Sequence, residues 1–357
     1  MRAQCDERDK NIGHRIMRGI LLAFENIIGQ KQVKMILQEA QAKERLSHAY
    51  AFCGAEGMGK RTMAKDFAKL LLCTNKQIHV INEEPHFTEC RECNSCKTFE
   101  SGTNPDFQFV ETDEDNLKIE SIRKLQEDIS MGPMYGDKKL YIICDAHKMT
   151  PQAQNCLLKT LEEPPYYAVV ILTVSLFENL LETIRSRVFK IDFCKNTVGE
   201  VKEAILNNIG PLSAYDFMAT YADGNIGKAL KFLQNSDFMK EREVALEHLM
   251  NLGDENHKKN LDLSGFLEMN KENIQEILDM YALFFRDVLV IKTGAHENIL
   301  INSDKKDIIK RNFSNFSRSR VIFCIELIEK VRIGLSQNAN FSLSMEYLAI
   351  GLQEESK

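Results

Sequence analysis

Apolar positions along this chain follow two periods, and the switch between them divides it. Up to about residue 195, short apolar runs of strand length alternate with stretches whose apolar residues recur every three to four positions. Ala49 to Phe52, Asp106 to Val110, Leu140 to His147, Ala168 to Val174 and the run from Val188 through Phe193 read as five strands. Ile27 to Glu44, Met63 to Leu72, Ile119 to Ile129, Gln152 to Glu162 and Leu180 to Ile184 read as helices between them. Thr150 and Pro151 have the chemistry of an N-cap and first helical residue, and Pro164-Pro165 stops that helix. Strands alternating with helices predict a parallel five-stranded sheet with helices on both faces. From Thr197 the strand pattern ends. Val198 to Ile209, Ser213 to Ala222 and Ile226 to Asn235 read as three short helices. Asn273 to Ile291, Ser319 to Leu335 and Ser342 to Leu352 read as longer ones, and no proline follows Pro211. Such wide apolar faces need a core of their own or a partner. Residues 1–21 show no clear period; the first sixteen read as a loose extension or the product of an upstream start codon.

With 357 residues, 44% hydrophobic and 27% charged, the chain has the make-up of a soluble globular protein of two or three domains. No apolar run approaches the ~20 residues of a membrane helix, and the charged start lacks the apolar centre of an export signal. Cytoplasm is the expected compartment. A net charge of −6 argues against strong nucleic-acid binding by this chain alone. Ten cysteines without an export signal argue for thiols and metal rather than disulfides. Cys5, Cys53, Cys144, Cys156, Cys194 and Cys324 are scattered, mostly in apolar runs, and read as small buried hydrophobes.

Gly54-Ala55-Glu56-Gly57-Met58-Gly59-Lys60-Arg61-Thr62 follows the first strand and opens a helix, the setting of a phosphate-binding loop. Glycines let backbone N–H groups converge on phosphate oxygens, and Lys60 adds a charge. A glycine-rich turn that never meets nucleotide is the other reading. The Mg²⁺ chemistry is incomplete: Arg61 stands where a hydroxyl should ligate the ion, and Thr62 comes one place late. The third strand ends Cys144-Asp145, where hydrolysing proteins have Asp-Glu. Two unfit positions at one ion argue that hydrolysis was abandoned, which leaves ATP and Mg²⁺ binding doubtful. Cys90-Arg-Glu-Cys93-Asn-Ser-Cys96, completed by Cys73, has the ligand types and short steps of a closed, structural Cys₄ zinc site. Free thiols are the alternative, with His86 a possible substitute ligand. The acidic stretch Glu111 to Asn116 reads as a solvated turn.

These motifs resemble those of the bacterial DNA polymerase III clamp-loader subunits, an AAA+ family, and within it the delta-prime type. The residues that carry the resemblance are Ser47 to Tyr50, Gly54 to Lys60, the cysteine cluster, Asn104-Pro105-Asp106 and Asn155-Cys-Leu-Leu-Lys-Thr-Leu-Glu162-Glu163-Pro164-Pro165. Thr183 to Arg187, Arg286-Asp287 and Asn338-Ala-Asn340 complete the set. It covers about Phe24 to Leu352. The resemblance implies a RecA-like AAA+ core over 22–195 with a zinc module at 73–96, a three-helix lid over 196–236, and an all-helical oligomerisation collar over 237–357. It implies a pentameric ring with gamma/tau and delta subunits that opens a sliding clamp and loads it on primed DNA. It also implies that Arg187, in Ser186-Arg187-Val188, is an arginine finger given in trans. An ordinary ion pair is the plainer reading of Arg187, but no carboxylate lies close to it in sequence. Gly227 stands where motor subunits carry a lid arginine. The leading expectation is a largely non-hydrolysing stator; the alternative is an active ATPase of gamma/tau type. A zinc-dependent DNA-binding module fits poorly with net acidity and a closed site.

Overall fold

The computed structural model describes residues 23–81, 84–111, 116–208, 215–234, 238–252, 263–294 and 299–353. The expected N-terminal extension and Cys5 lie outside them. The chain divides into two compact units. One comprises the residues up to Asn208 together with Asp223–Lys228; the other comprises the rest.

The first unit runs α1 (Lys31–Ala42), β1 (Ala49–Cys53), α2 (Lys60–Leu72), β2 (Gln77–Ile81), β3 (Glu84–Thr88), α3 (Asn94–Glu100), β4 (Phe107–Val110), α4 (Ile119–Ile129), β5 (Lys139–Ile143), α5 (Pro151–Glu162), β6 (Ala168–Val174), α6 (Glu182–Arg185), β7 (Phe189–Asp192) and α7 (Val198–Asn208). Five strands form one sheet in the order β4-β5-β6-β1-β7, and every pairing is parallel. Alternate side chains of the strands feed separate cores. Tyr50, Phe52, Leu140, Ile142, Val169, Ile171 and Ile191 pack with Met63, Phe67 and Leu71 of α2 on one face. Ala51, Tyr141, Ile143, Val170, Leu172 and Val174 pack with Ile122, Leu125, Leu157 and Leu161 on the other. Burial on both faces is why β1, β5 and β6 read as near-continuous apolar runs. This is the expected RecA-like core.

Some bounds differ from the sequence pattern. The first helix begins only at Lys31, because Gly29 and Gln30 take left-handed φ values of 72° and 50°. The third strand stops at Ile143, and Asp145 turns the chain at φ 48°. The hairpin β2–β3 was not legible. Ile78 and Val80 alternate with Gln77 and His79, but this short apolar stripe is exposed and joins no core. The Gln38 side chain holds it, donating to the Phe87 carbonyl at 3.0 Å and accepting its N–H at 2.8 Å.

The second unit is helical: α8 (Tyr215–Tyr221), α9 (Ile226–Gln234, whose first turn belongs to the first unit), α10 (Phe238–Leu252), α11 (Leu263–Met269), α12 (Ile274–Thr293), α13 (Lys306–Asn312), α14 (Arg318–Ser336) and α15 (Phe341–Gln353). Ile277, Tyr281, Phe284, Phe285 and Val288 of α12 are all buried, as their spacing predicts. The Arg286-Asp287 pair is structural. Asp287 is fully buried and accepts Ile301 N–H at 3.1 Å, Asn302 N–H at 2.7 Å and the Asn302 side-chain amide at 2.9 Å. Arg242, buried under Phe217, takes Asp304 in a two-pronged grip at 2.9 and 3.0 Å and donates to Asn302 at 2.8 Å. Asn338 makes a left-handed turn at φ 62°, and Asn340 caps α15 by accepting Leu343 N–H at 3.1 Å.

Removing Asp287 would leave several buried donors without an acceptor. Asp287→Ala is expected to destabilise the helical unit by about 3–5 kcal/mol. Asp287→Asn, which keeps one acceptor oxygen, should cost less. Urea unfolding followed by the helical signal measures both; an unchanged midpoint for Ala would show that this carboxylate holds nothing.

Candidate functional site

The candidate nucleotide loop lies at the C-terminal ends of the strands. Gly57 and Gly59 adopt φ values of 80° and 85°, so the chain turns sharply from β1 into α2. Lys60 is buried and turned onto its own loop, donating to the Gly54 carbonyl at 2.5 Å and the Ala55 carbonyl at 2.7 Å. Burial lowers its pKa. Segment 224–228 closes over the loop. Gly227 N–H donates to the Gly57 carbonyl at 2.9 Å, and the Asn225 amide donates to the Glu56 carbonyl at 2.6 Å. A Cβ on Gly227 would lie 2.5 Å from Gly57 Cα, so an arginine cannot replace this glycine while the segment stays in place.

Arg61 explains the altered ion chemistry. Its guanidinium meets Asp145 Oδ2 at 2.7 Å and lies 3.6 Å from a Glu111 oxygen. It therefore carries the positive charge that an ion would otherwise bring to Asp145. Glu111 is thus a partner of Arg61; the rest of the expected acidic turn, residues 112–115, lies outside the described residues. Cys144 is buried, and burial pushes its thiol up to about 11, so it stays neutral and cannot act as a carboxylate does. Thr62 follows Arg61 on α2, about 100° further round the helix. These residues do not fit Mg²⁺. Thr173, buried near the end of β6, accepts the Asp145 N–H at 3.0 Å. The sequence reading missed it, although a polar residue in the apolar run from Ala168 to Val174 was its visible signal.

Cys73 at the end of α2 meets Cys90, Cys93 and Cys96 from the loop and first turn of α3, and all four sulfurs lie within 4.8 Å of one another. Tetrahedral Zn–S bonds of ~2.3 Å place sulfurs about 3.8 Å apart, so the set fits such an ion. Backbone N–H groups of Cys90, Cys93 and Cys96 donate to the sulfurs of Cys73, Cys90 and Cys93 at 3.3, 3.3 and 3.4 Å. His86 does not join the cluster; it sits in β3 opposite His79. Of the scattered cysteines, Cys53, Cys144 and Cys324 are buried as expected, but Cys156 is half-buried and Cys194 is exposed on the strand-to-helix connection after β7.

Ions tie the cysteine loop to the core. Arg91 pairs with Glu25 at 2.7 Å and Glu89 at 3.2 Å, and Lys69 of α2 pairs with Glu89 and Glu100. Asp66 of α2 lies among them. Burial, then the negative charge of Glu89, pushes its carboxyl up to about 6.

Arg187 differs from expectation. It is not without a carboxylate: Nη2 pairs with Glu162 at 2.9 Å, from far away in sequence. Its Nη1 donates to the Thr183 carbonyl at 2.8 Å and to the Ser186 hydroxyl at 3.3 Å. Arg187 precedes β7 and Glu162 precedes β6, so both lie at the N-terminal ends of the parallel strands, opposite the phosphate loop.

Parallel sheet order and a glycine loop feeding α2 define an AAA+ core. The family described as DNA polymerase III, delta subunit, matches residues 29–197, and its C-terminal counterpart matches 236–354. The chain belongs to this family of clamp-loader proteins. It is 31% identical over 333 residues to DNA polymerase III subunit delta' of Bacillus subtilis (strain 168), covering 91% of this chain and 96% of that one. It is 28% identical to subunit tau of the same organism, over 86% of this chain and 57% of the relative's length. It is 27% identical to subunit gamma of Buchnera aphidicola subsp. Schizaphis graminum, over 92% and 94% of the two chains. A solved gamma-subunit-related protein of Thermotoga maritima is similar at TM-score 0.42 and 18% identity, over 90% of this chain and 98% of that one. No helix among the described residues is long and apolar enough to cross a membrane.

Asp66 makes a pH prediction. Its ordinary value is 3.8 and its folded value about 6. Between these the folded protein holds a proton that the unfolded chain has released, so stability falls as pH rises through that window and stays lower above it. Asp66→Asn cannot ionise. The melting temperature of the variant, relative to wild type, should be higher at pH 8 than at pH 4. An equal difference at both would place Asp66 in open solvent.

Proposed function

We propose that the chain is a delta-prime subunit of the DNA polymerase III clamp loader, acting in the cytoplasm as a largely non-hydrolysing stator. In this reading it joins gamma/tau and delta subunits in a pentameric ring that opens a sliding clamp and loads it on primed DNA. The core (22–195) and lid (196–236) face the neighbouring subunits, and the collar (237–357) holds the ring. The observation that carries the stator reading is the Arg61–Asp145 pair at 2.7 Å: a guanidinium stands in the ion's electrostatic role. Neutral Cys144 and the backbone contact between Gly227 and Gly57 support it. The alternative, an active gamma/tau-type ATPase, draws on the gamma and tau relatives and on the retained Lys60. Lys60, however, already bonds its own loop. Arg187 supplies the proposed mechanism. It sits across the sheet from its own loop, too far to serve it, so any phosphate it meets belongs to another chain. An arginine offered this way stabilises charge developing on the transferred phosphoryl group.

The isolated chain is expected to show no ATP turnover. In reconstituted loader, Arg187→Ala should leave assembly intact and lower DNA- and clamp-stimulated hydrolysis. The loss should fall short of the 10³–10⁵-fold scale of a single arginine-dependent site (about that range), because one of several sites faces this subunit. Arg187→Lys should rescue poorly, since lysine lacks the planar fork. Turnover by the isolated chain that vanishes in Lys60→Ala would establish the ATPase alternative; full activity of assembled Arg187→Ala loader would remove the finger.

The cysteine cluster is proposed to hold one structural Zn²⁺ through Cys73, Cys90, Cys93 and Cys96. Elemental analysis of protein purified without added metal should find one zinc per chain, and Cys93→Ser should lose it while the sheet core stays folded. Zinc retained at full occupancy in Cys93→Ser would place the ion elsewhere.

A further inference from the structure

Glu162 is the last residue of α5, and Glu163-Pro164-Pro165 ends that helix and leads into β6. Arg187 stands just past α6, in a segment fastened to α5 from inside. Gln154 of α5, 4% exposed, donates to the Met149 carbonyl and the Asn179 carbonyl at 3.2 Å and accepts Leu181 N–H at 2.8 Å. Leu157 and Leu161 of α5 share one apolar core with Leu180 and Ile184. Both ends of the Glu162–Arg187 pair therefore rest on rigid elements whose relative position is set by buried contacts. The end of α5 also carries unpaired carbonyls and the negative end of the helix dipole, which favours a cation there.

We propose that Glu162 is a positioning residue for Arg187: its carboxylate holds the guanidinium in the pose from which it meets a nucleoside triphosphate bound on a neighbouring subunit. This rests on the trans-arginine reading above and names the group that makes it work. A guanidinium has five N–H donors. Here three are committed, two on Nη1 to Thr183 and Ser186 and one on Nη2 to Glu162, which leaves two without a partner among the described residues. A free arginine samples many rotamers, and fixing it before assembly removes that ordering cost from the encounter. Glu162 and Arg187 keep 49% and 35% of their side-chain surface exposed, so the pair is weak enough to adjust to an incoming phosphate and accessible enough to be reached.

The test is a double-mutant cycle in reconstituted loader, read as the Arg187-dependent part of stimulated ATP turnover (wild type minus Arg187→Ala). Glu162→Ala should lower that part about two- to fivefold, the range an exposed pair commands, with KM for ATP unchanged. Glu162→Gln, which keeps the acceptor oxygen, should retain most of it. The double variant Glu162→Ala/Arg187→Ala should match Arg187→Ala alone, and melting temperature and ring assembly should match wild type throughout. Wild-type turnover in Glu162→Ala, or a double variant slower than Arg187→Ala, would overturn the positioning role while leaving the finger intact. Wild-type turnover in Arg187→Ala would remove the finger itself, and the positioning role with it.

Discussion

The parallel pairing of β1 between β6 and β7 is the constraint on which the first unit depends. It aligns Ala51 with Leu172 on one side and Lys190 on the other, and so places the ends of all three strands. At the C-terminal edge it gathers the phosphate loop, Thr173 and, through β5, Asp145. At the N-terminal edge, one strand length away (~16 Å for five residues), it gathers Glu162 and Arg187. The two groups of residues thus lie at opposite ends of one sheet.

The two edges use charge differently. At the loop, positive charge is turned inward. Lys60 bonds carbonyls of its own turn, Arg61 pairs with Asp145, and the approach of 224–228 depends on glycines at 57 and 227. Each contact pairs a loop donor or fills space beside the loop within this chain. At the far edge the pairing is exposed, and two Arg187 donors have no partner among the described residues. Exposed pairs of this kind are worth ~0–1 kcal/mol. In the helical unit, by contrast, buried Asp287, Asn302 and Arg242 form a network that exposed Asp304 closes from the surface, and loss of a buried partner is costly. The same residue types are therefore buried and multiply bonded in one unit and exposed in the other.

Much of this protein is legible in its sequence by itself. Period-two and continuous apolar runs located the sheet, and proline and glycine marked the ends of α5 and the phosphate loop, because backbone restrictions act on neighbours in the chain. The four cysteines lie close enough in sequence, apart from Cys73, to announce a shared site. The misplaced Arg61 and Cys144 were visible as departures from a local motif. What they do instead was not: Arg61 finds its counter-charges on two other strand ends, and only strand order brings those to it. The same holds for Glu162 and Arg187, for Gly227 against Gly57, and for Gln38 holding the β2–β3 hairpin. Local rules govern spans of a few residues. Which distant side chains meet is settled by the pairing and packing of whole elements, so the elements could be read from the chain while their counter-charges and close approaches could not.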